Sequence, residues 1–582
     1  MRSNLGILNQ RLSTITARQI ARNGWTCQSC RVSQVRRKLF STSLAPREAI
    51  DKPYYVTTPI FYVNASPHVG HLYSMLIADV LKRWQVLKSR PAILSTGTDE
   101  HGMKVQQAAY LQDVHPKAMC DANSETFRDL AKKANIDYDF FIRTTDPEHK
   151  DAVEYFWNRL KESGYIYETT HTGWYCVSDE TYYPETMIKK RISPLTGKPF
   201  MASVETGNMV EWQEEHNYHF RLTAFKDRLL KLYTDNPNFV VPKTRLAEVI
   251  SWVENNLEDL SISRPRSRLE WGIPVPDDPD QVIYVWVDAL INYLTVAGYP
   301  VWPPGSEHAK GWPADIHVVG KDIVRFHSVY WPALLMALDL PLPKTVLSHG
   351  HWLMSKQKMS KSVGNVVNPF FALDRWGVDT MRYFLIYNGA IAHDSDYSNE
   401  FIVDRYKKGL QKGLGNLLNR VTQPKNWSVR DAVIEMSSKP SDALPDAIAW
   451  QAKQVGELTA KVEKHMETLN PSLALKEIME LVFETNSYLT DTEPWRKSEE
   501  EDKTELNQIV FYAAESLRVV GILLQPFIPE KSKKVLDVLG VSPDQRTFEF
   551  AKLHADGDYG TSFVPLVKGA QGSIFPPIPV ED

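Results

Sequence analysis

The spacing of hydrophobic positions changes period twice within the first stretch of foldable sequence. Tyr54–Thr58 is β-branched and aromatic, the pattern of a buried strand. A polar loop containing Asn64, Ser66 and Pro67 follows. From His68 to Leu87 apolar residues recur at helical spacing, with Leu72, Met75, Leu76, Val80, Leu81 and Trp84 on or near one face. A second strand is predicted at Ala92–Thr96. The order returns later. Val282–Trp286 and Ile316–Val319 read as strands, each leading into a helix, and Val346–Ser348 reads as a further short strand. Alternation of this kind predicts an α/β fold, a parallel sheet with helices on both faces.

The two halves of the pattern are separated by residues 168–270, which are rich in aromatics and hold a turn at Ser193-Pro194-Leu195-Thr196-Gly197. We read this segment as an inserted domain. Beyond residue 399 strand alternation stops and helical segments succeed one another. Asn470-Pro471 is placed as a helix start, and Pro526 and Pro529 interrupt the last apolar stretch. A chain of 582 residues exceeds one core, so three or four units are expected. With no run of about eighteen apolar residues, no membrane insertion is expected.

Composition adds two constraints. Hydrophobic content of 43% and charged content of 24% are ordinary for a globular chain, and the formal net charge is -4. A nucleic-acid partner would therefore have to be met by local basic surfaces. Four cysteines are too few for a disulfide framework at this length. Cys27 and Cys30 form a CxxC pair without further ligands nearby. That pair lies in a segment, residues 1–50, that carries nine basic residues, from Arg2 to Arg47, against Glu48 alone, with frequent Ser and Thr. This is the pattern of a mitochondrial transit peptide, and folded sequence is expected from about Lys52.

Two short motifs carry chemistry. Pro67-His68-Val69-Gly70-His71 falls between a predicted strand and a helix. A helix N-terminus offers backbone N–H groups and a positive dipole end to phosphate, and Gly70 lets a nucleotide approach the backbone. His68 and His71 share one helical face. Lys358-Met359-Ser360-Lys361-Ser362 places two cations three residues apart in a Ser/Lys-rich segment that suits a loop closing on a polyphosphate. In this order, across an inserted domain, the pair resembles the HIGH and KMSKS signatures of class I aminoacyl-tRNA synthetases. The resemblance implies ATP with Mg²⁺, and His68, His71, Lys358 and Lys361 as catalytic residues. Gly70 and Ser360 complete the implied ATP-binding set.

Over residues 53–540 the sequence is similar to the methionyl-tRNA synthetase family. The blocks that carry this are Thr57–Asn64, Gly97–Gly102, Asp259–Arg264, Val285–Ala289 and Gly320–His327. The resemblance implies that Asp99 holds the substrate ammonium and that Ile60, Tyr62, Trp286, Ala289, Leu290, Tyr293, Ile323 and His327 form the side-chain pocket, with Leu290 where some relatives have proline. Trp286 suits a thioether because sulfur–aromatic contacts are favourable, and the Tyr293 hydroxyl suits a weak hydrogen bond to sulfur. Arg264 and Asp322 match positions near the substrate. Asn416 and Arg420 match an anticodon-reading pair, and Trp495 an aromatic on which an anticodon base stacks.

The expected architecture is then a Rossmann-like catalytic domain in two halves, 51–167 and 271–345, around a connective domain at 168–270. A KMSKS loop and stem-contact region at 346–398 and an all-α anticodon-binding domain at 399–582 follow. Relatives carry zinc knuckles built from CxxC pairs, whereas residues 168–270 hold only Cys176, so no structural zinc is expected. The expected partners are L-methionine, ATP and tRNA(Met), for a monomer in the mitochondrial matrix. Two other readings stay open on the residues alone. One is a small adenylyl-transferring enzyme without a tRNA role, which the helical C-terminal domain opposes. The other is an idle RNA-binding or structural descendant, which the intact His68, His71, Lys358 and Lys361 oppose.

Overall fold

Strand β1 (Tyr54–Tyr62) runs at the middle of a parallel sheet and delivers the chain to helix α1 (Val69–Leu87). The chain returns through β2 (Ala92–Asp99), α2 (Met103–Leu111), α3 (Pro116–Lys133), β3 (Phe140–Arg143) and α4 (Pro147–Glu162). The computed structural model describes residues 52–193, 196–302, 310–354, 357–358, 366–438, 444–564 and 573–578. The basic leader and its cysteine pair lie outside the described residues.

The chain then leaves the sheet. β4 (Ile166–Cys176), β5 (Thr181–Tyr183) and β8 (Glu211–Phe220) form an antiparallel sheet, with the hairpin β6 (Ile188–Ile192) and β7 (Pro199–Ser203) beside it. Within residues 168–270 one short strand, β9 (Val240–Val241), rejoins the parallel sheet at its edge. After β10 (Asp278–Ile283) and α5 (Val285–Val296), β11 (Ile316–Gly320) and β12 (Thr345–His349) complete it. The order is β3-β2-β1-β11-β12-β9, with every described pairing parallel. The order reverses between β1 and β11, where open α/β sheets bind ligands beyond their strand ends.

One expectation is corrected here. Val282–Trp286 does not form a strand of the parallel sheet. β10 stops at Ile283 and pairs antiparallel with Ser263–Pro265 and Pro274–Val275, while Val285 and Trp286 already belong to α5. The apolar run is unbroken from Val282 to Val287, so no polar position marks where the period changes.

Successive strand residues face opposite sides of the sheet, so it divides two cores. Val56, Val318 and Leu347 join one apolar cluster; Tyr55, Val319 and Val346 join the other. The first cluster continues without a break through α6 (Val378–Asn388) into α7 (Asn416–Thr422), α8 (Asp446–Glu467), α9 (Pro471–Asp491), α10 (Thr504–Leu523) and α11 (Pro529–Leu539). The predicted start at Asn470-Pro471 is present, with the Asn470 side chain accepting the Leu473 amide at 3.2 Å. By length and composition α10 could cross a membrane, but 94% of its apolar window is buried inside the protein, the setting of a core helix.

Arg382 of α6 joins the two parts of that cluster. Its side chain is 1% exposed and donates to Asp79 of α1 at 2.5 Å. It also donates to the carbonyls of Pro526 and Phe527 at 2.9 Å, and of Ala134 and Asn135 at 3.2 Å.

Candidate active site

At the C-terminal end of β1 the chain turns into α1 through two histidines. His68 is the N-cap, with φ -131° and ψ 173°. Its Nδ1 accepts the Gly70 amide at 3.1 Å, and Nδ1 of His71 accepts the His68 amide at 3.1 Å. The rings stack with centroids 3.7 Å apart. An Nδ1 that accepts cannot carry the proton, so each neutral ring holds it on Nε2, a donor suited to a phosphate oxygen. Glycine keeps space for the ring: a Cβ on Gly70 would stand 2.9 Å from His68 Cε1.

Beside this helix start lies a cavity of about 250 Å³. Its lining includes His68, Gly70 and His71 together with Ile60, Tyr62, Asp99, Trp286, Ala289, Leu290, Tyr293, Asp322, Ile323 and His327. The chain thus brings residues from β1, β2, α5 and the segment after β11 to one place. Asp99 ends β2 in register with Tyr62. It is 2% exposed, and its Oδ1 has no hydrogen-bond partner among the described residues. Burial, then the neighbouring Asp288 and Glu180, push its carboxyl well above the usual range. Asp288 behaves oppositely. Burial alone would raise it, but His101 at 2.6 Å and His149 at 2.8 Å hold it down to about 2.

The apolar end is built from aromatic rings. Trp286 stacks on Phe326 at 3.8 Å and meets Tyr62 edge-on at 6.3 Å. His327 Nδ1 lies 2.9 Å from the Ile323 carbonyl, so that nitrogen carries the proton. Nε2 therefore accepts the Tyr293 hydroxyl at 2.7 Å. Burial holds His327 down to about 4, which keeps the ring neutral. The hydroxyl proton that the sequence offered to sulfur is thus donated to His327 here.

Other site residues fall elsewhere. Arg264 is buried against the rings of Tyr175, Tyr182 and Tyr284, lines a separate small cavity, and donates to Ser261 Oγ at 2.8 Å. Lys358 lies on a short strand whose backbone pairs with Leu353 of β13 (Trp352–Met354). Its side chain, Ser360 and Lys361 lie outside the described residues. Sequence reasoning missed the far wall, Gly320 and His349–Trp352. The signal was present: Gly320 ends β11 and Gly350 follows β12, at the strand ends where ligands are held. It also missed Glu180, whose Oε2 accepts the Tyr62 hydroxyl at 2.6 Å.

Residues 54–422 match the family model described as tRNA synthetases class I (M), and residues 443–565 that of the anticodon binding domain of methionyl tRNA ligase. The chain belongs to the class I methionyl-tRNA synthetases. It is 55% identical to a Neurospora crassa protein named probable methionine--tRNA ligase, mitochondrial, over 97% of this chain and 92% of that one. It is 41% identical to the human mitochondrial methionine--tRNA ligase, over 86% of each. A solved Mycobacterium tuberculosis methionyl-tRNA synthetase in complex with methionyl-adenylate superposes with a TM-score of 0.81 at 39% identity, covering 90% of this chain and 100% of that one.

In the helical half of this synthetase, Asn416 and Arg420 of α7 meet Asn486 and Thr490 of α9. Asn416 Nδ2 donates to Asn486 Oδ1 at 2.9 Å, and Arg420 donates to the Asn486 carbonyl at 2.6 Å and to Thr490 Oγ1 at 3.1 Å. Trp495 is 41% exposed. Within residues 168–270 Cys176 is buried, and Asp179 gathers three side-chain donors. Its carboxylate accepts Tyr183 at 3.0 Å, Thr206 at 2.5 Å and Asn208 at 2.7 Å, which joins the β4–β5 turn to the loop after β7. Among the described residues no group of three or more His, Cys, Asp or Glu is arranged to hold a metal.

Proposed function

We propose that the cavity binds L-methionine and MgATP side by side and carries out both steps of tRNA(Met) charging. The observation that supports this most is the pairing, in one cavity, of an orphaned Asp99 oxygen with a histidine-capped helix start. Asp99 takes the ammonium of methionine. Trp286, Ala289, Ile60, Ile323 and Tyr62 enclose the thioether, and the Tyr293–His327 pair closes the pocket with fixed polarity. A leucine side chain would lose the favourable contact of sulfur with the Trp286 ring, which costs affinity. His68 and His71 donate Nε2–H to the triphosphate at the N-terminus of α1, with Gly70 admitting it. By the resemblance of their motif, Lys358, Ser360 and Lys361 serve the same triphosphate.

With the two substrates so held, a methionine carboxylate oxygen attacks the α-phosphorus. The bond from that phosphorus to the bridging oxygen breaks, and pyrophosphate leaves with its electron pair. Developing charge on the phosphoryl oxygens is met by the imidazole N–H groups and the lysines. In the second step the terminal ribose hydroxyl of tRNA attacks the acyl carbon and AMP departs. Asp322 acts at the border of this site, Arg264 supports it from its separate cavity, and Asn416, Arg420 and Trp495 read the anticodon. The inserted domain keeps its shape through Asp179 without zinc, and the enzyme works as a monomer in the mitochondrial matrix. The basic, Ser-rich leader supports that location.

Isotopic pyrophosphate exchange into ATP tests the activity. Methionine should stimulate it, and leucine, valine and cysteine should not. Stimulation by one of those instead would overturn the assignment. Deleting residues 1–45 should abolish import into isolated mitochondria, and unchanged import would refute the address.

A further inference from the structure

The turn between β4 and β5 carries two adjacent acids with different destinations. Asp179 binds within the inserted domain, as described above. Glu180 reaches the catalytic half and is 1% exposed. Its Oε2 accepts the Tyr62 hydroxyl at 2.6 Å, its Oε1 accepts the Lys104 amide at 2.9 Å, and its carbonyl accepts the Tyr284 hydroxyl at 2.6 Å. The Lys104 amide belongs to the first turn of α2, where a carboxylate is favoured. The cap of that helix is Gly102, with φ 103°, and a Cβ there would stand 2.9 Å from Glu180 Oε1. Glycine thus makes room for the incoming carboxylate. Lys104 Nζ lies 4.8 Å from the centre of the Tyr62 ring, over its face.

Burying a carboxylate beside Asp99 is costly, and its return must come from the bonds it makes. An anchor for the insertion would need only the Lys104 and Tyr284 contacts. The bond to Tyr62 is the one that reaches the wall of the amino-acid cavity. A second tie runs in the same direction. Glu205, in the turn after β7, pairs at 2.9 Å with buried Arg325, the neighbour of the Phe326 ring on which Trp286 stacks.

We propose that Glu180 is a positioning residue for methionine recognition, supplied by the inserted domain: its carboxylate fixes Tyr62 against the cavity, so the insertion sets amino-acid affinity without touching the substrate. This rests on the methionine reading of the cavity.

Steady-state pyrophosphate exchange with the full chain tests it. Glu180→Gln keeps size and one acceptor oxygen but loses the charge-assisted bond, and Tyr62→Phe removes the same bond from the other side. Each should raise KM for methionine about tenfold, the size of one lost charge-assisted hydrogen bond. In Glu180→Gln the values of kcat and KM for ATP should stay within about twofold. The double variant should be no worse than the poorer single, because both remove one bond. Full additivity in the double variant, or an equal rise in KM for ATP in Glu180→Gln, would overturn the proposal. So would an unchanged methionine KM in Tyr62→Phe, which decides the matter even where Glu180→Gln fails to fold. A wild-type chain without methionine-dependent exchange would refute the function itself. An active wild type with an unmoved KM in the variants would refute the positioning role alone.

Discussion

Asp99 is the residue at which function and stability oppose each other. Its carboxyl is pushed up by burial first and then by Asp288 and Glu180, so folding disfavours its ionised form. For an acid with a raised folded-state value, that contribution to stability is present at low pH and is lost as pH rises through the raised value. Binding an ammonium demands the ionised form. The acid limb of kcat/KM for methionine should therefore fall at a pH above the ordinary aspartate range of about 4. Asp99→Asn removes the buried charge. The apparent melting temperature at neutral pH should rise, while methionine-dependent exchange drops about 10²-fold or more, the usual consequence of losing one side of a buried charge pair. A destabilised variant with normal exchange would contradict both halves. The place of Asp99 in the cavity was legible in the sequence because it lies just after a predicted strand, in a block that resembles the family. Glu180 was not, because its role depends on an insertion folding back on a strand 118 positions earlier. The direction of the Tyr293 proton was equally hidden, since it is fixed by which nitrogen of His327 faces the Ile323 carbonyl.

At the scale of elements, the start of α1 does the most with the least sequence. Two Nδ1 atoms satisfy backbone amides that would otherwise be orphaned at the N-terminus, and the same bonds fix both tautomers. Gly70→Ala places a methyl group against the His68 ring. Alanine favours a helix, so thermal stability should change by less than about 1 kcal/mol. Adenylate formation, followed by stopped-flow or exchange, should slow by about tenfold because one donor is displaced from the phosphate. A rate equal to wild type would show that the His68 ring need not hold its place. The helix itself was readable from periodicity, with its predicted end at Leu87 matched. Strand β1 extended beyond the predicted Thr58 to Tyr62, since Pro59 did not end it. The boundary between β10 and α5 was not readable, because an all-apolar run carries no period until its polar faces emerge.

The molecule as a whole is tied at Arg382. Its guanidinium is out of solvent and its acceptors come from α1, the segment after α3, and the link between α10 and α11. Arg382→Ala leaves Asp79 with Arg83 at 2.9 Å and the Asp137 amide at 2.8 Å, and strands the Pro526 and Phe527 carbonyls. Loss of about 3–5 kcal/mol of stability is expected, measured by denaturant titration. A loss within about 0.5 kcal/mol would mean that water replaces the guanidinium at no cost. The sequence separated these two parts at residue 399 on the change from alternating to purely helical pattern. It could not reveal that one apolar cluster spans both, because contact between distant segments leaves no periodic trace in either. The consequence reaches genetics. A temperature-sensitive allele mapped near Pro526 would masquerade as a failure of amino-acid activation, and a surviving catalytic fragment trimmed at the boundary would be a poor witness to what the missing helices do.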